Sequence, residues 1–105
     1  MINIEGGQIP KEMFSQYLNI LINKVYKILP MREENVDTLK KYLSSLQIEL
    51  IGSTNLIDEL KDDSEFLTLL NIIQYFISND FDTSTCRREI FKCINILKKI
   101  QKRLN

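Results

Sequence analysis

Six apolar residues near the C-terminal end of this chain, Cys86, Ile90, Cys93, Leu97, Ile100 and Leu104, follow one another at spacings of 4, 3, 4, 3 and 4. Side chains spaced this way share one face of an α-helix, whereas a strand, with its period of two, would scatter them over both faces. The same rhythm runs through Val36, Leu39, Leu43, Leu46 and Leu50, and through Phe14, Tyr17, Leu18, Leu21, Val25 and Ile28. Only three Gly and two Pro interrupt the 105 residues, so a few long helices fit better than many short strands joined by tight turns. Ala, the best helix former, is absent. The helices must therefore draw their stability from burying Ile and Leu faces against one another.

Local signals set the expected boundaries. Pro10 suits a first helical position, and Pro30 disfavours helical geometry at Leu29, which predicts a first helix ending at Leu29 and a link over Met31 to Glu34. A second helix is expected from Asn35 as N-cap, with Asp37 in its first turn and Gly52 closing it after Ile51. Asn55 with Asp58 suggests the cap of a short helix carrying Leu56, Ile57 and Leu60. Asp62, Asp63 or Ser64 would cap the next helix, to about Ser78, with Phe66, Leu67, Leu70, Ile73 and Ile77 as its buried stripe and Leu69 and Phe76 widening it. A polar loop around Phe81 follows, and Asp82, Thr83 or Ser84 caps the last helix. Residues 1–9, with alternating Ile and then Gly6-Gly7, read as a short hairpin or an extended arm.

The expectation is an all-α fold: a single antiparallel bundle of four main helices plus a short fifth, one domain over residues 1–105 with residues 1–9 as N-terminal arm. A composition of 44% hydrophobic and 27% charged residues is that of an ordinary globular protein. Met1 to Glu5 lack the character of a secretion signal, and no apolar run approaches the ~18 residues of a membrane span, so no membrane association and a cytoplasmic location are expected. Cys86 and Cys93, seven apart on one helix, would lie about 10 Å apart, beyond disulfide reach of roughly 7 Å, and read as core thiols.

Net charge is zero, but it is unevenly distributed. Residues 32–84 carry four basic and eleven acidic groups, and residues 85–105 carry seven basic and one acidic. On a helical wheel Arg87, Arg88, Lys92, Lys98, Lys99, Lys102 and Arg103 all fall away from the seam of the last helix, with Phe91 among them. These eight residues form the candidate partner-binding face. Such a face near a helix C-terminus is commonly just solvated, its cations offsetting the negative end of the helix dipole; as a binding face, with its interleaved aromatic, it suits an acidic partner protein, or nucleic-acid phosphates with base stacking. Because the chain as a whole is not basic, protein is the preferred partner.

Catalytic chemistry finds little support. The chain has no His, which removes the commonest general base, every Ser or Cys triad that relies on it, and most zinc sites. Asp58 with Asp62 and Glu59 with Asp63 stand at i, i+4, a spacing compatible with one cation, but no second ligand segment accompanies them. Asp80 to Ser84 begins like a calcium loop, yet its sixth position is Thr85 rather than Gly and its twelfth is Phe91 rather than Glu. Gly6-Gly7 lacks the Lys-Ser/Thr of a phosphate loop. The sequence thus predicts a non-enzymatic protein–protein interaction module: a small subunit, an adaptor, or an inhibitor or immunity-type protein. Its expected partner is another protein or a second copy of itself. No cofactor, metal or small-molecule ligand is expected, and the alternative is a nucleic-acid-binding accessory subunit using the basic last helix.

Overall fold

In a computed structural model of the chain, residues 1–104 are described. They form an all-α bundle with a short N-terminal hairpin: β1 (Ile2–Ile4), β2 (Gly7–Ile9), α1 (Lys11–Tyr26), α2 (Ile28–Glu33), α3 (Leu39–Leu56), α4 (Asp58–Lys61), α5 (Ser64–Ser78) and α6 (Thr83–Arg103). The four long helices run up, down, up and down. α6 packs against both α1 and α5, and α3 packs against α5. Long polar side chains tie α1 to α3: Lys24 Nζ reaches Glu49 Oε1 at 2.6 Å, and Tyr17 donates to Glu49 and pairs with Ser53 Oγ. The buried apolar residues make one core, with Phe14, Phe66 and Phe76 fully enclosed.

The hairpin pairs Ile2 with Ile9 and Ile4 with Gly7, and its tight turn requires φ of 87° at Gly6, a conformation glycine adopts without steric cost. Two strands of three residues are marginal alone. Here they gain a third partner, because Ile4 bridges the extended residue Ile57 between α3 and α4 and Glu5 N–H donates to Leu56 O at 2.8 Å. Ile2 is thereby buried.

Several boundaries differ from those expected, each for a physical reason. Pro30 does not end the first helix. It sits third in α2, where the N–H it lacks would have bonded the Tyr26 carbonyl, and the chain breaks at Lys27 and restarts with Pro30 inside the first turn. Asn35 is not the N-cap of α3 but the left-handed residue that closes α2: its φ is 50°, its N–H donates to Arg32 O, and Val36 N–H donates to Met31 O. That pair of bonds satisfies the end of α2 in the Schellman pattern.

Gly52 does not close α3, which continues to Leu56 and takes in Asn55 as well. A Cβ on Gly52 would meet no other atom within 4 Å, so nothing in this chain requires a glycine there. A mid-helix glycine costs roughly 0.5–1 kcal/mol relative to Ala. The buried stripe of α5 is Phe66, Leu69, Ile72, Ile73 and Phe76; Leu70 and Ile77 are half-buried and Leu67 points outward at 57% exposure. Of the expected caps, Asp63 accepts from Phe66 N–H and Asp82 accepts from Thr85 N–H.

Candidate functional site

α6 starts from the Asp82 cap and buries Cys86, Ile90, Cys93, Ile94, Ile96, Leu97 and Ile100, so its remaining side chains divide into two flanks and an outer ridge. Four of its seven cations are paired within the chain. Arg87 pairs with Glu33 of α2 at 2.9 Å, Arg88 with Glu89 at 3.2 Å, Lys99 with Glu65 of α5 at 3.6 Å, and Arg103 with Asp63 at 2.5 Å. On the side facing α1, Gln101 Nε2 donates to Ser15 O and Asn19 Oδ1.

The ridge is different. Phe91, Lys98 and Lys102 share one stripe away from the buried seam, Lys92 lies on the α5 side, and among the described residues none of these lysines has an ion-pair partner. Phe91 is 45% exposed, and the hairpin docks on Ile57 instead of covering it. The eight-residue face is thus an exposed aromatic with three unpaired lysines, bordered by four cations that already have carboxylates. Phe91, Lys92, Lys98 and Lys102 all line this open surface.

The electrostatics of the caps follow the same geometry. Partial burial raises the Asp63 carboxyl, but the Phe66 N–H and the Arg103 guanidinium outweigh it and hold the group below its ordinary value. The hydrogen bond from the Thr85 N–H lowers Asp82. Burial pushes Cys86 up to about 11 and Cys93 up to about 12, so both thiols stay protonated and inert at neutral pH. Burial likewise raises Tyr17, with Glu49 adding to the effect.

The carboxylate pairs at residues 58–63 do not converge on a common point: Asp58 binds Lys61 at 3.2 Å while Asp63 is spent on the α5 cap and Arg103. Among the described residues no group of three or more metal-ligating side chains forms. The loop at Asn79 to Asp82 is organised around Phe81, which stacks on Phe76 at 4.2 Å; Arg32 donates to its carbonyl, and Lys40 donates to the carbonyls of Phe76 and Asn79. No helix of the described chain is long and apolar enough to cross a membrane.

A second surface escaped the reading of the sequence. Six of the ten exposed large hydrophobics, Met13, Ile20, Ile48, Ile51, Leu56 and Leu67, gather along the outside of α3 and the edges of its two neighbours. Met13 and Ile20 share the α1 stripe of Tyr17 and Lys24, the residues that reach α3, while Ile51 and Leu67 border the α3–α5 seam crossed by the Gln47–Gln74 bond. Ile48 is 73% exposed at the crest. From Ser44 to Leu56 the one charged residue is Glu49, paired with Lys24, and from Phe66 to Asn79 there is none. In a chain that is 27% charged, those two gaps were the available signal. Comparison with protein-family models, with curated proteins and with solved structures finds no match.

Proposed function

We propose that this chain is a non-enzymatic protein-interaction module whose α6 ridge docks an acidic surface on a partner protein. The observation that carries the reading is the division of α6: four of its cations are matched by carboxylates within the chain, while the exposed Lys98 and Lys102, with no ion-pair partner among the described residues, share a stripe with the 45%-exposed Phe91. An exposed aromatic beside unpaired lysines supplies a desolvating anchor with electrostatic steering around it, the arrangement that concentrates binding energy in small interfaces. Because four of the seven basic residues of α6 are already paired with carboxylates, the field left is modest, which favours a folded acidic partner over the dense phosphate charge of a nucleic acid.

The test is affinity capture from the native cell with the wild-type chain and with a Phe91→Ala, Lys98→Glu, Lys102→Glu variant. A partner retained by the wild type, lost by the variant and resistant to nuclease supports the reading. Capture that nuclease abolishes, with affinity falling steeply in salt, transfers the ridge to nucleic acid. Identical capture by both chains removes the ridge from the function.

A further inference from the structure

The buried stripe of α3 does not stop where α3 stops. Leu39, Leu43, Leu46, Leu50, Ser53, Ile57 and Leu60 follow one another at spacings of 4, 3, 4, 3, 4 and 3, all of them are buried, and neither Gly nor Pro stands between Ser53 and Asp63. That periodicity specifies one helix over residues 39–61. The structure nevertheless breaks it at Ile57, whose φ of −109° and ψ of 114° are extended. We infer that the N-terminal hairpin is a clip that imposes this break, and that α3 and α4 join into one helix over residues 39–61 when the clip is released. The inference goes beyond the α6 reading and stands without it.

The other breaks between helices have local causes. Pro30 lies behind the one at Lys27, Asn35 closes α2 with its positive φ, and Asp63 and Asp82 cap α5 and α6. At Ile57 no side chain caps α4 and no residue takes a positive φ. Asp58 and Glu59 do suit a helix start, since their charge meets the positive end of the α4 dipole, but neither residue stops a helix. What holds Ile57 extended is β1: Ile4 bridges Ile57, and Glu5 N–H donates to Leu56 O at 2.8 Å. In a continuous helix Leu56 O accepts from Leu60 N–H, four residues on. Here Leu60 N–H turns to Ile57 O instead, at 3.0 Å. Ile57 cannot be extended for β1 and helical for α3 at once, so the docked hairpin and the joined helix exclude each other.

The clip has a small hold. Its two strands have three residues each, and it is fixed to the bundle by the buried Ile2 and by the contacts to Leu56 and Ile57. Against it stand the i to i−4 bonds that a joined helix makes across the break. An event that withdraws the hairpin therefore shifts the population toward the joined form. The change is passed on, because only Asp62 and Asp63 link α4 to α5, and the Asp63 carboxylate both caps α5 and holds Arg103 of α6.

Backbone NMR on full-chain variants tests the inference. It is read at the Ile57 Cα shift, whose sign separates extended from helical backbone, and at hydrogen exchange of Glu59 N–H, a first-turn amide of α4 that a joined helix bonds to Asn55 O. Glu5→Pro removes the N–H that reaches Leu56 at an exposed position and keeps the turn, because Gly6 alone there has a positive φ, the type II pattern, whose first central position accepts proline. Ile2→Asp removes the buried anchor. The wild type is expected to show Ile57 extended. The two substitutions, alone and together, are expected to move its shift to the helical side and to slow Glu59 exchange at least roughly tenfold. Adding Asp58→Pro, which suits the first position of α4 but disfavours helical geometry at Ile57, should return Ile57 to the extended side. An Ile57 that stays extended in the double variant, or that is already helical in the wild type, overturns the inference; so does a Glu5→Pro chain that exchanges Glu59 at the wild-type rate.

Discussion

Arg103, in the last turn of α6, contacts Asp63, the N-cap of α5, at 2.5 Å, so one carboxylate closes the start of one helix and anchors the end of another. The Asp63 side chain is only 7% exposed, whereas Arg103 is 58% exposed. The cap bond is the sheltered half of the arrangement, and the exposed guanidinium contributes the smaller share. Asp63→Ala is expected to cost about 1–2 kcal/mol in urea unfolding, and Arg103→Ala less than about 1 kcal/mol. Equal costs would mean that the ion pair dominates.

The same carboxylate sets an acid limb to stability. Its folded pKa is lowered, so the unfolded chain binds the proton more readily; the contribution is complete above the unfolded value near 4 and is lost as pH falls through the folded value. Asp82, lowered by its Thr85 bond, acts in the same direction. In melting curves between about pH 6 and pH 2 the wild type should lose its advantage over Asp63→Asn as the pH drops. A constant gap between the two would show that Asp63 is not tuned by its partners.

At the other end of α5, Lys40 and Phe81 do jointly what a C-terminal glycine does elsewhere. Lys40 Nζ donates to the carbonyls of Phe76 and Asn79, at 2.5 and 2.6 Å, and rests 5.1 Å from the Phe81 ring centroid. The cation meets the negative end of the helix dipole as well as the ring face. Phe81 is 8% exposed and stacked on Phe76. Phe81→Ala should cost about 3 kcal/mol through the lost burial and the cavity left behind, and Lys40→Met about 1 kcal/mol. If Phe81→Ala unfolds at the wild-type midpoint, the loop is not part of the core.

The seams were readable because they are periodic: Cys86, Ile90, Cys93, Leu97 and Ile100 are all buried, as are Leu39, Leu43, Leu46 and Leu50. The phase of α5 was not, since a run such as Leu69 to Ile77 is apolar on all sides and only the positions of α3 and α6 decide which side is inside. Pro30 and Gly52 misled for a related reason. Their local rules describe an isolated helix, whereas a proline in a first turn needs no donor and a glycine held by packed neighbours on both sides need not end a helix.

On the candidate face, residue types and their side of the helix were readable, but pairing was not. Arg87 and Glu33 are 54 residues apart in sequence and meet only because α2 lies along α6, and Lys99 meets Glu65 through the antiparallel course of α5. Tertiary neighbours thus reduced the seven candidate cations to three without an ion-pair partner among the described residues, Lys92, Lys98 and Lys102, beside the exposed Phe91. The α3 surface went unread because an exposed isoleucine opposite a leucine seam carries no periodic signature of its own.

The two thiols provide a readout of the core at alkaline pH. Burial raises Cys86 to about 11 and Cys93 to about 12, so between pH 9 and those values the folded chain holds protons that the unfolded chain releases. Stability from these groups is therefore complete below pH 9 and declines as pH rises through 11 to 12. At pH 8 both should react with a disulfide reagent only as fast as the chain opens, and a denaturant pulse should release two equivalents together. Cys93, fully enclosed, should remain the slower of the two if opening is local, because Cys86 lies one turn from the start of α6 where helices fray. Rapid labelling of Cys93 in the folded chain would show that the α6 seam is not closed against α1 and α5.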